Sequence, residues 1–145
     1  MDGCTIVVTV RREDAPKFEP FFFGSLHDSY RPAAEVDDAV TLGVDDGRFG
    51  VDELETLGVP FVGYHGDGDD FSPAVFAFDG TTYAYCLASA TGAEPVVPYG
   101  NDGTPVQAEL ENLQKYLRVR ASALKKLAAG RMAEEYPVPH NPWVA

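Results

Sequence analysis

Ala74-Val75-Phe76-Ala77-Phe78-Asp79-Gly80-Thr81-Thr82-Tyr83-Ala84-Tyr85-Cys86-Leu87 is the stretch on which the fold turns. Two runs of apolar and β-favouring residues flank an Asp-Gly pair, and Asp-Gly between such runs favours a two-residue type I′ hairpin. That turn sets Phe78 opposite Thr81, Phe76 opposite Tyr83 and Ala74 opposite Tyr85. Side chains alternate across a strand, so one face of the hairpin is aromatic. The other carries Val75, Ala77, Thr82, Ala84 and Cys86, all small. A small-residue face lets a helix approach closely. The expectation is therefore a hairpin covered on both sides, central to its sheet, with a helix seated on the small face.

The helix to fill that place lies downstream. Thr104-Pro105-Val106-Gln107 has the form of a capping box, with Thr104 as N-cap and proline in the first helical position. Val106, Leu110, Leu113, Leu117, Ala121, Leu124 and Ala128 then recur at steps of three and four, the helical period. Gly130 supplies a stop. A helix over 105–129 would be about 38 Å long at 1.5 Å per residue, so part of it would overhang a small sheet. Glu109 and Glu111 near its start and Lys125 and Lys126 near its end suit the helix dipole.

Upstream, Thr5-Ile6-Val7-Val8-Thr9-Val10 is β-branched throughout and reads as a strand. Phe18–Phe23 reads as an aromatic segment that packs into the core beside a loop, interrupted by Pro20 and closed by Gly24. Pro32–Val40 fits a short helix ended by Gly43, and Val51–Leu57 a second one ended by Gly58. Val59–Tyr64 reads as a strand whose Pro60 marks its start or an edge position. The fold class is α+β: a small, mostly antiparallel sheet with a central 74–88 hairpin, packed by the 105–129 helix and short helices. Residues 1–130 form one domain of ordinary size. Residues 131–145, with three prolines around Trp143, form an extended arm.

Charge is the strongest anomaly. The chain of 145 residues has a formal net charge of −12. Residues 1–103 hold 19 acids and 5 bases, and residues 104–145 hold 4 acids and 6 bases. The extreme is Glu35, Asp37, Asp38, Asp45, Asp46, Asp52, Glu53, Glu55, Asp67, Asp69 and Asp70, with Arg48 as the one base among them. Such a field repels nucleic acid and anionic membranes and attracts basic proteins or cations. No basic footprint for direct nucleic-acid binding exists. No apolar run is long enough to cross a membrane, and the N-terminal residues lack the pattern of a signal peptide. Two cysteines, Cys4 and Cys86, are too few for a disulfide framework and read as free thiols of a reducing, cytoplasmic setting.

No catalytic motif is present. Gly47 aligned with the sixth position of a calcium-binding EF-hand loop brings Asp46 and Glu53 into place but puts Leu42 and Val44 where oxygen ligands belong; the plain reading is a turn before a capped helix. His65-Gly66-Asp67-Gly68-Asp69-Asp70 offers an imidazole and carboxylates. His65, Asp67 and Asp69 are its weak candidate metal ligands, although Asp and Gly are also what turns require. A Cys/His pair would combine Cys4 or Cys86 with His27, His65 or His140, and nothing around either cysteine suggests an activated thiolate.

Three functional classes follow. A non-enzymatic binding or inhibitory protein would use the acids from Glu35 to Asp70 to occlude a basic surface of a partner, by class analogy with anti-CRISPR, anti-restriction and immunity proteins that imitate nucleic acid. A small enzyme or a divalent-cation site would use the His65–Asp70 loop. The third class is salt adaptation, suggested by 13 aspartates against 10 glutamates and 4 lysines. No cofactor is implied. A second copy of the chain, docked through the 105–129 helix or the C-terminal arm, is a further expected partner.

Overall fold

The computed structural model describes residues 4–22, 26–27, 39–47, 49–68, 72–89 and 94–128, with the side chains at 26, 27, 45 and 46 left aside. The strands are β1 (Cys4–Arg11), β2 (Leu26–His27), β3 (Ala39–Gly47), β4 (Phe61–His65), β5 (Ala74–Phe78) and β6 (Tyr83–Leu87). The α-helices are α1 (Ala15–Phe22) and α2 (Gln107–Leu127), and a 3-10 helix spans Val51–Leu57. The strands form one sheet in the order β2-β3-β1-β4-β5-β6. Every pairing is antiparallel. The architecture is α+β, with a sheet between two unlike covers.

β1 lies in the interior of the sheet because both of its faces are apolar or small. Ile6, Val8 and Val10 are fully buried on one side, and Val7 and Thr9 are buried on the other. Thr9 meets Thr41 across the β1–β3 ladder, with hydroxyl oxygens 3.2 Å apart. Asp14 then anchors the exit from β1. Its buried carboxylate accepts from Arg11 Nε at 2.7 Å and from Lys17 Nζ at 3.3 Å.

The two faces carry separate cores. On the first face, Cys4, Ile6, Val8, Val10, Phe61, Phe76 and Phe78 meet Phe18 and Phe22 of α1 and Val51 and Leu54 of the 3-10 helix. Its rings pack edge-on: Phe18 to Phe61 at 6.0 Å and Phe61 to Phe76 at 5.9 Å, the geometry the ring quadrupole favours. On the second face, Val62, Val75, Ala77, Ala84, Cys86 and Ala88 meet Tyr116, Val119, Ala123, Leu124 and Leu127 of α2. Each fully buried large apolar side chain contributes about 1.5–3 kcal/mol relative to exposure. The small face of the hairpin thus seats the long helix, as the alternation implies.

Several sequence expectations are corrected. The Phe18–Phe23 segment is not a loop-side cluster; through Phe22 it belongs to α1. Ala15, Phe18 and Phe22 share the buried side, and Pro20 is tolerated inside the helix. That proline forgoes one backbone bond, a loss of about 3 kcal/mol in an ordinary helix interior, set here against two fully buried phenylalanines. Ala39, Val40 and Gly43 belong to β3, where Gly43 pairs with Val7 rather than ending a helix; Pro32–Asp38 lies outside the described residues. The hairpin pairs Phe78 with Tyr83, Phe76 with Tyr85 and Ala74 with Leu87. Its turn is therefore centred one residue later, on Gly80-Thr81. Asp79 gains by this: its Oδ1 accepts from the N–H of Thr81 at 2.9 Å and of Thr82 at 2.7 Å. Gly80 takes the positive φ of 95°, which a side chain would resist. The register moves by two residues, so every side chain keeps the expected face. The hairpin lies at one end of the sheet, not its centre.

α2 begins at Gln107, not Pro105. Pro105 bridges to Tyr99, Val106 N–H donates to the Pro98 carbonyl, and no side-chain cap forms. Thr104 instead donates to Asp102 at 2.7 Å, and Gln107 donates to Glu111 at 3.2 Å. The buried stripe is also rotated. Tyr116, Val119, Arg120, Ala123, Leu124 and Leu127 face the sheet, whereas Ala121 is exposed and Val106 is 37% exposed. Full burial starts at Tyr116 in this 21-residue helix, about 32 Å long, while Leu113 is partly buried against the same core. Gly130 and the 131–145 arm lie outside the described residues. Val51–Leu57 is helical as expected, of the 3-10 kind, and Gly58 closes it at φ 71°. The Val59–Tyr64 strand begins at Phe61, with Pro60 just before it, and lies inside the sheet rather than at an edge.

Candidate functional site

Of the acids that define the expected partner surface, Asp52, Glu53, Glu55 and Asp67 have described side chains. Asp45 and Asp46 are placed by backbone alone, in β3. Glu35, Asp37, Asp38, Asp69 and Asp70 lie outside the described residues. Asp52, Glu53 and Glu55 ride on the 3-10 helix because Val51 and Leu54 are its buried anchors. Positions between the anchors point outward, so Asp52 and Glu53 are exposed and Glu55 is half-buried. Glu53 makes a long contact with the Gly50 N–H at 3.5 Å, near the positive end of the helix. Asp67 is exposed just beyond the end of β4.

These four carboxylates differ from Asp14, Asp79 and Asp102, each of which is held by partners within the fold. Asp14 is held by Arg11 and Lys17. Asp79 caps the hairpin turn; burial acts to raise its pKa, but the N–H groups of Thr82 and Thr81, Ser122 and Lys126 outweigh that and hold it below the ordinary value. Asp102 is held low by the N–H and hydroxyl of Thr104. No ion pair involves Asp52, Glu53, Glu55 or Asp67 among the described residues. Their charge is left facing solvent.

Tyr83 packs into the core that holds the 3-10 helix, and Tyr85 follows it on the aromatic face of β6, with ring centroids 6.3 Å apart. Burial raises the Tyr83 pKa, and the carboxylates of Glu55 and Asp52 raise it further. Both acids therefore act on this ring. Tyr85 is 51% exposed. Sequence reasoning assigned this aromatic face to the core and missed Tyr85 as surface.

The other candidates resolve differently. His65 ends β4 on the same face as Ile6, its partner across the ladder. It is 9% exposed and stacks on Phe76 at 6.2 Å. Its Nδ1–H donates to the Gly66 carbonyl at 2.9 Å, and burial lowers its pKa. Asp67 is exposed and Asp69 is outside the described residues. Among the described residues, no three His, Cys, Asp or Glu side chains are placed to hold a metal ion. Gly47 sits in β3 opposite Cys4, and its Cβ position would collide with Ile6. Leu42 is buried in the same strand. The segment is thus a strand leading into a 3-10 helix rather than a calcium loop. Both cysteines are buried. Burial pushes the Cys86 thiol up to about 12 and also raises Cys4, with Asp67 adding to the latter. Neither environment makes a thiolate.

No protein family matches this chain, and no curated protein or solved structure does either. No helix among the described residues is long and apolar enough to cross a membrane.

Proposed function

We propose that this chain acts by binding. It presents an acidic surface to a basic protein and covers that protein's basic site, in the manner of inhibitors and immunity proteins that imitate nucleic acid. The observation that carries this reading is the set of exposed or half-buried carboxylates at Asp52, Glu53, Glu55 and Asp67, none in an ion pair among the described residues, within a chain of net charge −12. Asp45, Asp46 and the acids outside the described residues extend the same charge density along the sequence. Attraction over such a field speeds encounter with a basic partner and falls as salt screens it.

The test is inhibition. Basic nucleases and restriction effectors are assayed on DNA with and without the chain, at ionic strengths of about 0.05 M and 0.5 M, where the Debye length falls severalfold. Protection of the DNA at low salt and its loss at high salt is the expected result. Inhibition indifferent to salt, or no inhibition of any basic enzyme, overturns the reading.

A further inference from the structure

β6 closes one end of the sheet, and the hairpin register shows what its outer edge offers. The Asp79 N–H donates to the Thr82 carbonyl and the Ala88 N–H to the Pro73 carbonyl. Hydrogen-bonded pairs alternate along an antiparallel ladder. Residues 82, 84, 86 and 88 therefore turn their N–H and C=O groups toward β5. Residues 83, 85 and 87 turn theirs away. The Leu87 carbonyl is met by the Val96 N–H at 2.9 Å. Among the described residues, nothing meets the outward N–H and C=O of Tyr83 and Tyr85. Protein edges are usually blunted by lysine, proline or a bulge. Tyr83-Ala84-Tyr85-Cys86-Leu87 has none of these and pairs in continuous register.

The same two residues send their rings to the face where Asp52 and Glu55 stand. The edge thus joins three things: a row of outward backbone groups, an exposed aromatic ring and two carboxylates. We propose that the free edge of β6 takes up an extended, basic segment of a partner protein as an additional strand, with lysine or arginine at alternate positions lying over Tyr85 and reaching Asp52 and Glu55. The proposal rests on the acidic-surface reading above and makes it specific. Main-chain bonds supply affinity in strand addition, and alternate side chains supply selectivity. A cation over a tyrosine face gains from the ring quadrupole. Charge also decides against a second copy of this chain as occupant. Two copies joined edge to edge would bring Asp52 and Glu55 of each toward the other across the junction.

The probe is a synthetic peptide alternating threonine with lysine, titrated into the full chain at low salt. Calorimetry and amide shifts are the readouts. Its glutamate counterpart and a copy N-methylated at alternate backbone amides serve as controls. Binding of the lysine peptide, with the largest shifts at the amides of residues 83 and 85, is expected. The N-methylated and glutamate peptides should not bind. The pair Asp52→Asn and Glu55→Gln should weaken binding about fivefold, as two partly exposed charge contacts would. Tyr85→Pro removes an outward donor without breaking the β5–β6 ladder and should abolish binding. Equal binding of the N-methylated peptide, which leaves the protein untouched, overturns strand addition even if Tyr85→Pro does not fold. Nuclease inhibition that is salt-sensitive but unaffected by Tyr85→Pro and by excess lysine peptide also overturns it, while leaving the acidic-surface reading in place. Loss of salt-sensitive inhibition altogether removes both.

Discussion

Replacing Ala84 with leucine tests the seating of α2 most directly. Ala84 and Ala77 face each other across the β5–β6 ladder and are 4% and 0% exposed. They form one core with Ala123 and Leu124, at 0% and 1%. Small side chains on both layers bring helix and sheet close, and no room remains for a branched four-carbon side chain. Forcing extra methylenes into such a core costs about 1–3 kcal/mol. In a domain of this size each kcal/mol moves Tm by about 3 °C, so Ala84→Leu should melt about 3–9 °C below the parent chain. Tyr85→Leu, one residue along on the opposite and exposed face, should stay within about 0.5 kcal/mol. Urea unfolding followed by circular dichroism gives the free energies, and an unchanged m-value confirms that the same transition is compared. If Ala84→Leu is as stable as the parent or more so, the small face is open and α2 does not sit on it. The account of the second core then fails.

Two further predictions concern the turn and the buried thiol. Asp79→Ala removes the acceptor for two backbone N–H groups and should cost about 1–2 kcal/mol in urea unfolding; Asp79→Asn, which keeps an acceptor, should restore most of it. Because the Asp79 pKa is held below its ordinary 3.8, its share of stability is present above that pH and is lost as pH falls through the lower folded value. Cys86 titrates near 9.0 when unfolded and at about 12 in the fold. Between those values the unfolded chain sheds a proton that the native chain keeps, so stability should fall as pH rises through that window. Cys86→Ala should remove the portion of the decline that begins near pH 9, as followed by pH-dependent urea midpoints. The tyrosine contributions from Tyr83 and Tyr116, which start higher, would remain.

The elements that were legible in the sequence are those with a clean period. The two arms of the 74–88 hairpin alternate large and small residues, the 5–10 strand is β-branched throughout, and Val51–Leu57 holds two apolar anchors and is followed by a closing glycine. The turn register was misread because Asp79 does more as an acceptor before the turn than as a residue inside it, which sequence pattern alone does not reveal. β3 was hidden because Gly43 and two aspartates break its β character, and its identity depends on pairing with β1, a tertiary effect. α1 was hidden by its prolines, although Ala15, Phe18 and Phe22 have helical spacing. The rotated face of α2 has a plainer cause. A stripe counted only in aliphatic residues omits Tyr116 and Arg120, both buried against the sheet. Tyr116, Arg120, Ala123 and Leu127 make an equally good stripe. The site was legible as charge and as absence of motif, but the open edge at Tyr83 and Tyr85 required the strand order.

That order has a consequence for how the molecule holds together. β1 precedes both of its partners along the chain, and it is the seam between β3 on one side and β4 on the other. Remove it, and the sheet separates into a β2–β3 flap and a β4–β6 panel that share no ladder. Being made before both neighbours, β1 must wait, unpaired, until they exist, and a lesion in Ile6, Val8 or Val10 would weaken two junctions at once.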